Sequence, residues 1–298
     1  MPGRALCAPA ALPCAPPSPG NPMRFLALLF AISLAGCGTM QIEEKSFIHP
    51  DAKDAPALPR VDVTALPSAY TVTDETVVTP DGATLRGVYL ARAGAPTTLL
   101  YFGGNAFHID QHAREVLPLL AACGGNVAVF DYRGYGRSSG VPTVATMQAD
   151  ALRMFDHVNA IHPGKVAVHG QSLGSFMAAW VASQRPAARG MVLEATATTV
   201  QEWSDANVPW YLKLFLKVEV ADTLRGVDNP AVVKAWHGPS LVLAGEHDKL
   251  IPLAMSRKVY DAIPGDNKQW HVAKGASHNG ILSDPDVGPV LCGFVRKL

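Results

Sequence analysis

Residues from about 67 to 298 predict an α/β domain: a mostly parallel sheet with helices on both faces. Three observations carry this. Short, wholly apolar runs recur along the chain, as strands buried on two faces do. Segments of helical spacing separate these runs, so the strands are joined by crossovers. A chain of 298 residues, 48% hydrophobic and 17% charged, suits one large globular domain.

The elements follow in order. Residues 70–78 and 84–91 alternate as a hairpin around Asp81-Gly82, a turn pair. Residues 97–102 form a short apolar strand, and 110–122 a helix carrying Val116, Leu117, Leu119 and Leu120. A second buried strand covers 126–131. A helix over 143–159 then places Met147, Ala151, Met154 and Val158 on one face. Strands at 165–169, 191–194, 241–244 and 269–272 complete the series, with a helix over 176–182 close behind the first. Such a sheet places its ligand site beyond the C-terminal ends of its strands. The residues that carry chemistry are therefore expected just after each run.

The N-terminus reads differently. Arg24 precedes an apolar run from Phe25 to Leu34 that ends in small residues. This is a secretory signal in outline, over 23–36, and too short for a comfortable membrane span. Leu34-Ala35-Gly36-Cys37 resembles the bacterial lipobox, whose Cys becomes the lipid-modified first residue of the mature protein. A plain signal with a Cys beside its cleavage site is the alternative. Residues 1–22, rich in Ala and Pro, read as a leader ahead of a true start at Met23. Residues 37–66 are polar, with Pro50, Pro56 and Pro59, and read as a tether. The expected location is the bacterial cell envelope, lipid-anchored through Cys37 and facing the periplasm or exterior. Lys plus Arg equals Asp plus Glu, 25 of each, so no basic field exists to hold nucleic acid. The expected partners are a membrane and a small or lipid-like substrate; the sequence names no protein partner.

The clearest motif is His169-Gly170-Gln171-Ser172-Leu173-Gly174, a G-x-S-x-G between a predicted strand and a predicted helix. A bare Gly/Ser turn is common, and the strand-to-helix context gives it meaning. Such a turn holds Ser172 in a strained conformation with its hydroxyl above the sheet. Side chains at Gly170 or Gly174 would collide with neighbouring backbone. The Leu173 amide lies at a helix N-terminus, which favours a developing negative oxygen. A serine hydroxyl needs a base, and the base needs an orienting carboxylate. Of His237, His247, His271 and His278, only His278 lies in a small-residue loop after a strand. Asp248 follows the strand at 241–244 in a Gly-x-x-Asp-x-x-x-Pro turn that can place it at the loop tip. Glu246 and Glu194 compete for the acid's place. Gly103 and Gly104 follow the strand at 97–102 and allow close backbone approach. Unless they form only a plain turn, the Asn105 amide faces that of Leu173 as a second oxyanion donor.

On these residues the chain, from about 70 to 298, resembles the α/β-hydrolase superfamily and, within it, the BEM46-like branch. Asp131-Tyr132-Arg133-Gly134-Tyr135-Gly136-Arg137-Ser138-Ser139-Gly140 is similar to that branch's strand-end loop, read here as shaping the site. Phe102-Gly103-Gly104-Asn105-Ala106 is similar to its oxyanion segment, where a His usually stands at the place of Gly103. That departure removes a side chain, not the amide of Asn105. The resemblance implies a serine hydrolase that cleaves an ester, thioester or amide of a small acyl-containing substrate through an acyl-enzyme. Ser172, Asp248 and His278 fall at its catalytic places, and no cofactor or metal is called for. It also implies a small cap insertion at about 200–238. Trp203, Trp210, Tyr211, Leu212, Leu214, Phe215 and Leu216 crowd it, and Lys213 and Lys217, four apart, predict an amphipathic helix. That helix either packs on the sheet or forms an apolar lid, with Trp210, Tyr211 and Phe215 against the acyl group. In this topology Cys123 follows the first helix and Cys292 lies in the last, on the same face of the sheet. A disulfide and two buried thiols both fit. A peptidase using the same site, and a non-catalytic binding or scaffold lipoprotein, are the competing readings. The intact Ser-Asp-His order argues against the second.

Overall fold

The computed structural model describes residues 38–51 and 69–298. The leader 1–22, the signal 23–36, Cys37 and the tether residues 52–66 lie outside the described residues.

Strand β1 (Gly38–Ile42) and a single turn, α1 (Glu44–Phe47), come first. The hairpin of β2 (Tyr70–Val78) and β3 (Thr84–Arg92) turns at Gly82, whose φ of 84° suits glycine. Then come β4 (Thr98–Phe102), α2 (Ile109–Ala121), β5 (Asn126–Phe130), α3 (Val144–Ile161), β6 (Val166–Gln171), α4 (Leu173–Gln184) and β7 (Met191–Glu194). The cap region holds α5 (Val200–Asn207), a 3₁₀ turn, β8 (Leu216–Val220), α6 (Asp222–Arg225) and α7 (Asn229–Val232). The chain closes with β9 (Ser240–Gly245), α8 (Leu253–Ala262), β10 (Lys268–Ala273) and α9 (Val287–Val295).

Eight strands form one sheet in the order β10-β9-β7-β6-β4-β5-β3-β2. From β10 to β5 neighbours are parallel, and the β2–β3 hairpin closes one edge antiparallel. Every residue of β4, β5, β6 and β9 is buried, which is why those runs carry no alternation. Helices cover both faces. Met147, Met154 and Phe155 of α3, Phe176 and Met177 of α4, and Met255 and Val259 of α8 pack on one. Leu117 and Leu120 of α2, and Leu291 and Phe294 of α9, pack on the other. There a disulfide joins Cys123 to Cys292, with Cα atoms 4.5 Å apart. Thr143 starts α3 with a reciprocal cap: its Oγ1 accepts from the Thr146 amide at 3.1 Å, and Thr146 Oγ1 accepts from the Thr143 amide at 2.8 Å.

Two expectations need correction. The amphipathic helix expected around 210–217 does not form. Pro209 disfavours helical backbone at Val208, where α5 ends. Beyond it, Leu216, Val218 and Val220 alternate with Lys217 and Glu219, and that period of two gives β8 instead. The partner of β8 is β1, paired in parallel from Gly38↔Leu216 to Ile42↔Val220. Residues 38–51, expected as part of a free tether, are thus folded onto the domain. Ile48 is buried in the same core as α4.

Candidate active site

The site begins at the junction of β6 and α4. The strand ends at Gln171, the helix begins at Leu173, and Ser172 between them has φ 54° and ψ −116°. This tight passage needs glycine on both sides. A Cβ at position 170 would lie 2.1 Å from the Gly174 carbonyl oxygen, and one at 174 would lie 2.0 Å from that of Phe102.

His278, in the loop after β10, bridges to this serine. Its Nε2 stands 3.0 Å from Ser172 Oγ, and its Nδ1 lies 2.8 Å from Asp248 Oδ2. Asp248 is buried just beyond β9, and its other oxygen accepts the Leu250 and Ile251 amides at 2.9 and 2.8 Å. Both carboxylate oxygens are therefore directed. The competing acids are occupied elsewhere: Glu246 accepts from the Gly275 amide, and buried Glu194 pairs with His169 at 2.9 Å. His271 stays within β10.

The backbone after β4 passes beside the serine. A Cβ at position 104 would lie 2.2 Å from Gln171 Oε1 and 3.5 Å from Ser172 Cβ. At position 103 it would lie 2.2 Å from Phe107, so that ring fills the space a side chain there would need. Leu173 opens α4, and its amide therefore lies outside the helix's own hydrogen-bond ladder.

The 131–140 loop holds this backbone in place. The Tyr132 hydroxyl donates to the Gly103 carbonyl at 2.8 Å, and the Tyr135 hydroxyl donates to Asn105 Oδ1 at 2.9 Å. Buried Asp131 accepts from the amides of Ile109 and Arg137, each at 2.8 Å. Burial pushes its carboxyl up to about 6, against the lowering effect of those two bonds.

Sequence reasoning missed a second support, the segment after β1. Asn105 Nδ2 donates to the Phe47 carbonyl at 3.0 Å, and its Oδ1 accepts from the His49 amide at 3.2 Å. The Phe47 ring meets Phe176 and Trp203 edge-on, with centroids 6.0 and 5.9 Å away. The only sequence signal was the apolar pair Phe47-Ile48 in a polar stretch.

Ser172 lines one cavity, and a second opens beside its neighbour Gln171. One, of about 230 Å³, is walled by Ser172, Leu173, Phe176, Trp203, Phe47 and Ile251. The other, of about 360 Å³, includes Gly104, Gln171, Asn279, His112, Glu115 and Glu194. Trp210, Tyr211 and Phe215, expected at the acyl group, are exposed and do not wall the first cavity. Trp203 and Phe47 take that place. Because the expected helix is absent, the aromatic residues after Pro209 point away from the core.

Known proteins bear out the fold class. Residues 96–225 match the Hydrolase_4 family, described as serine aminopeptidase S33. An uncharacterized protein of Mycobacterium tuberculosis is 32% identical, over 92% of this chain and 94% of its own. Protein bem46 of Schizosaccharomyces pombe is 25% identical over 90% of each chain. The lysophosphatidylserine lipase ABHD12 of Mus musculus is 27% identical over 70% of this chain and 58% of its own length. Among solved structures, the Pyrococcus furiosus esterase Pf2001 aligns with a TM-score of 0.64 at 17% identity, over 83% of this chain and 98% of its own. The fold is that of an α/β hydrolase. The chain belongs to the BEM46-like branch of that superfamily and is a hydrolase.

Proposed function

We propose that the protein is a serine hydrolase that cleaves acyl esters through an acyl-enzyme. The observation that carries this is His278, which spans Ser172 Oγ at 3.0 Å and Asp248 at 2.8 Å. In this reading Ser172 Oγ attacks the substrate carbonyl carbon as His278 Nε2 takes its proton. Asp248 holds the imidazole in the required tautomer. The Asn105 and Leu173 amides receive the negative oxygen, a contribution of ~3 kcal/mol per donor in comparable sites. The tetrahedral adduct collapses as His278 returns the proton to the leaving group. Water, deprotonated by His278, then attacks the acyl-enzyme and frees Ser172.

The small apolar cavity beside Ser172 suits the acyl group, and the polar one beyond Gln171 suits the leaving group. Lipase and esterase relatives favour an ester over a thioester or amide. The family description favours the peptidase reading instead, so an aminoacyl anilide belongs in the same substrate panel. We further read the protein as exported and lipid-anchored at Cys37. A disulfide between Cys123 and Cys292 is at home in such an oxidising compartment.

The test is labelling by a fluorophosphonate probe, with wild type beside Ser172→Ala. Wild type should label and turn over short acyl esters, and the variant should do neither. An unlabelled wild type would establish the non-catalytic reading. Metabolic labelling with a fatty acid, lost in Cys37→Ala, tests the anchor.

A further inference from the structure

We infer that residues 210–215 form a membrane-docking surface that seats the protein on the bilayer beside its N-terminus. The segment reads Trp-Tyr-Leu-Lys-Leu-Phe. Trp210 is 75% exposed, Tyr211 53%, Leu214 65% and Phe215 55%. Scattered exposed apolar residues are ordinary, but five large ones within six positions, Leu212 included, are not. Lys213 is the segment's sole charge, and Lys217 follows it. Trp and Tyr with flanking Lys is the composition of segments that lie at the lipid headgroup level.

Strand register places the start of the described chain beside this surface. Gly38 pairs with Leu216, the residue directly after Phe215. Cys37, the first residue of the mature chain in the lipoprotein reading, therefore joins the fold at the edge of the exposed patch. A lipid on Cys37, as read above, brings the bilayer to that edge. A lone acyl chain binds a membrane only marginally, and a second apolar contact makes the attachment stable.

The same surface adjoins the apolar cavity. Helix α5 supplies Trp203 to the cavity wall and ends just before Pro209 and Trp210. Asn207 Nδ2 donates to the carbonyl of Leu250, another wall residue, at 3.0 Å. A docked protein thus presents its acyl cavity toward the lipid, and the substrate class becomes esters resident in the bilayer.

The experiment uses the full chain reconstituted with phosphatidylethanolamine–phosphatidylglycerol vesicles, and it needs no hydrolysis. Trp210 emission is taken as wild type minus Trp210→Phe, and lipids brominated on their acyl chains serve as quenchers. Expected is a blue-shifted Trp210 signal, quenched by bromolipid and protected from aqueous iodide. In Leu214→Ser/Phe215→Ser that quenching should fall several-fold. Vesicle-bound protein whose Trp210 is open to iodide and untouched by bromolipid overturns the proposal while leaving the Cys37 anchor standing. No vesicle association of wild type overturns both. A dimer that buries Trp210 and does not bind vesicles assigns the patch to a second copy and also overturns it.

Discussion

Ser172 occupies a backbone region that an L-residue holds only when its surroundings impose it. The surroundings here are backbone atoms, so they cannot step aside. Gly170→Ala should therefore force β6 and α4 apart, costing roughly 1–3 kcal/mol in urea unfolding. Ester turnover should fall by at least about 10²-fold, because the hydroxyl moves relative to His278. Asp248→Asn leaves the fold intact but removes the acceptor that fixes the imidazole tautomer. Its kcat should fall by about 10⁴-fold, whereas Glu246→Gln stays near wild type; equal losses in steady-state assays would remove Asp248 from the acid's role. Asp131 carries a pH signature. Burial holds its carboxyl up at about 6, whereas in the unfolded chain it ionises near ~4. Between those values the folded state keeps a proton that the unfolded state has lost. The stability that this proton contributes is full below about 4 and is lost as pH rises through about 6. Urea melts across that window should show the decline in wild type, by roughly 3 kcal/mol, and not in Asp131→Asn, which does not ionise. The meeting of Ser172, Asp248 and His278 was legible in the sequence because a parallel sheet gathers the residues just after its buried runs. The turn after β9 favoured Asp248 over Glu194 in the sequence, and the structure adds that Glu194, at the end of β7, pairs with His169.

Elements show where sequence reading stops. Strands of the main sheet were readable because each is a dense apolar run or a clean alternation. Strand β1 was not, since its five residues lie between the apolar signal run and a polar stretch and gain meaning only from β8, far along the chain. Strand β8 was hidden in turn by the aromatic cluster ahead of it, whose spacing fits a helix as well as a strand over so short a window. Together they form a strap that carries Phe47 into the apolar cavity wall and His49 onto Asn105. Phe47→Ala should raise KM for esters of apolar acids by roughly tenfold, about 1.4 kcal/mol, through lost apolar contact with the acyl group. The kcat should fall much less, because Phe47 has no bond to Ser172, His278 or Asp248. A uniform fall in kcat with KM unchanged would mean that the strap acts on the oxyanion backbone instead.

At the scale of the molecule, two apolar layers lie on opposite faces of one sheet, and the disulfide ties α2 to α9 across the second. Sequence reading placed both cysteines on one face and could not choose between thiols and a bond, because pairing depends on ångströms that periodicity does not set. Cross-linking positions 169 residues apart restricts the unfolded chain strongly. Cys292→Ser should cost roughly 2–5 kcal/mol, seen as a melting temperature lower by about 5–15 °C. Dithiothreitol added to wild type should reproduce that shift, and an unchanged melt would show the bond to be dispensable. The bond also has a place in time. Cys123 leaves the ribosome 169 residues before its partner. By the time Cys292 appears, β5, β6, β7, β9 and β10 have all been synthesised. The bond therefore cannot guide the early docking of strands. It acts as a seal on a sheet whose strands already exist, and a chain halted before α9 is left unsealed, an unlocked form that a protease can tell from the finished chain.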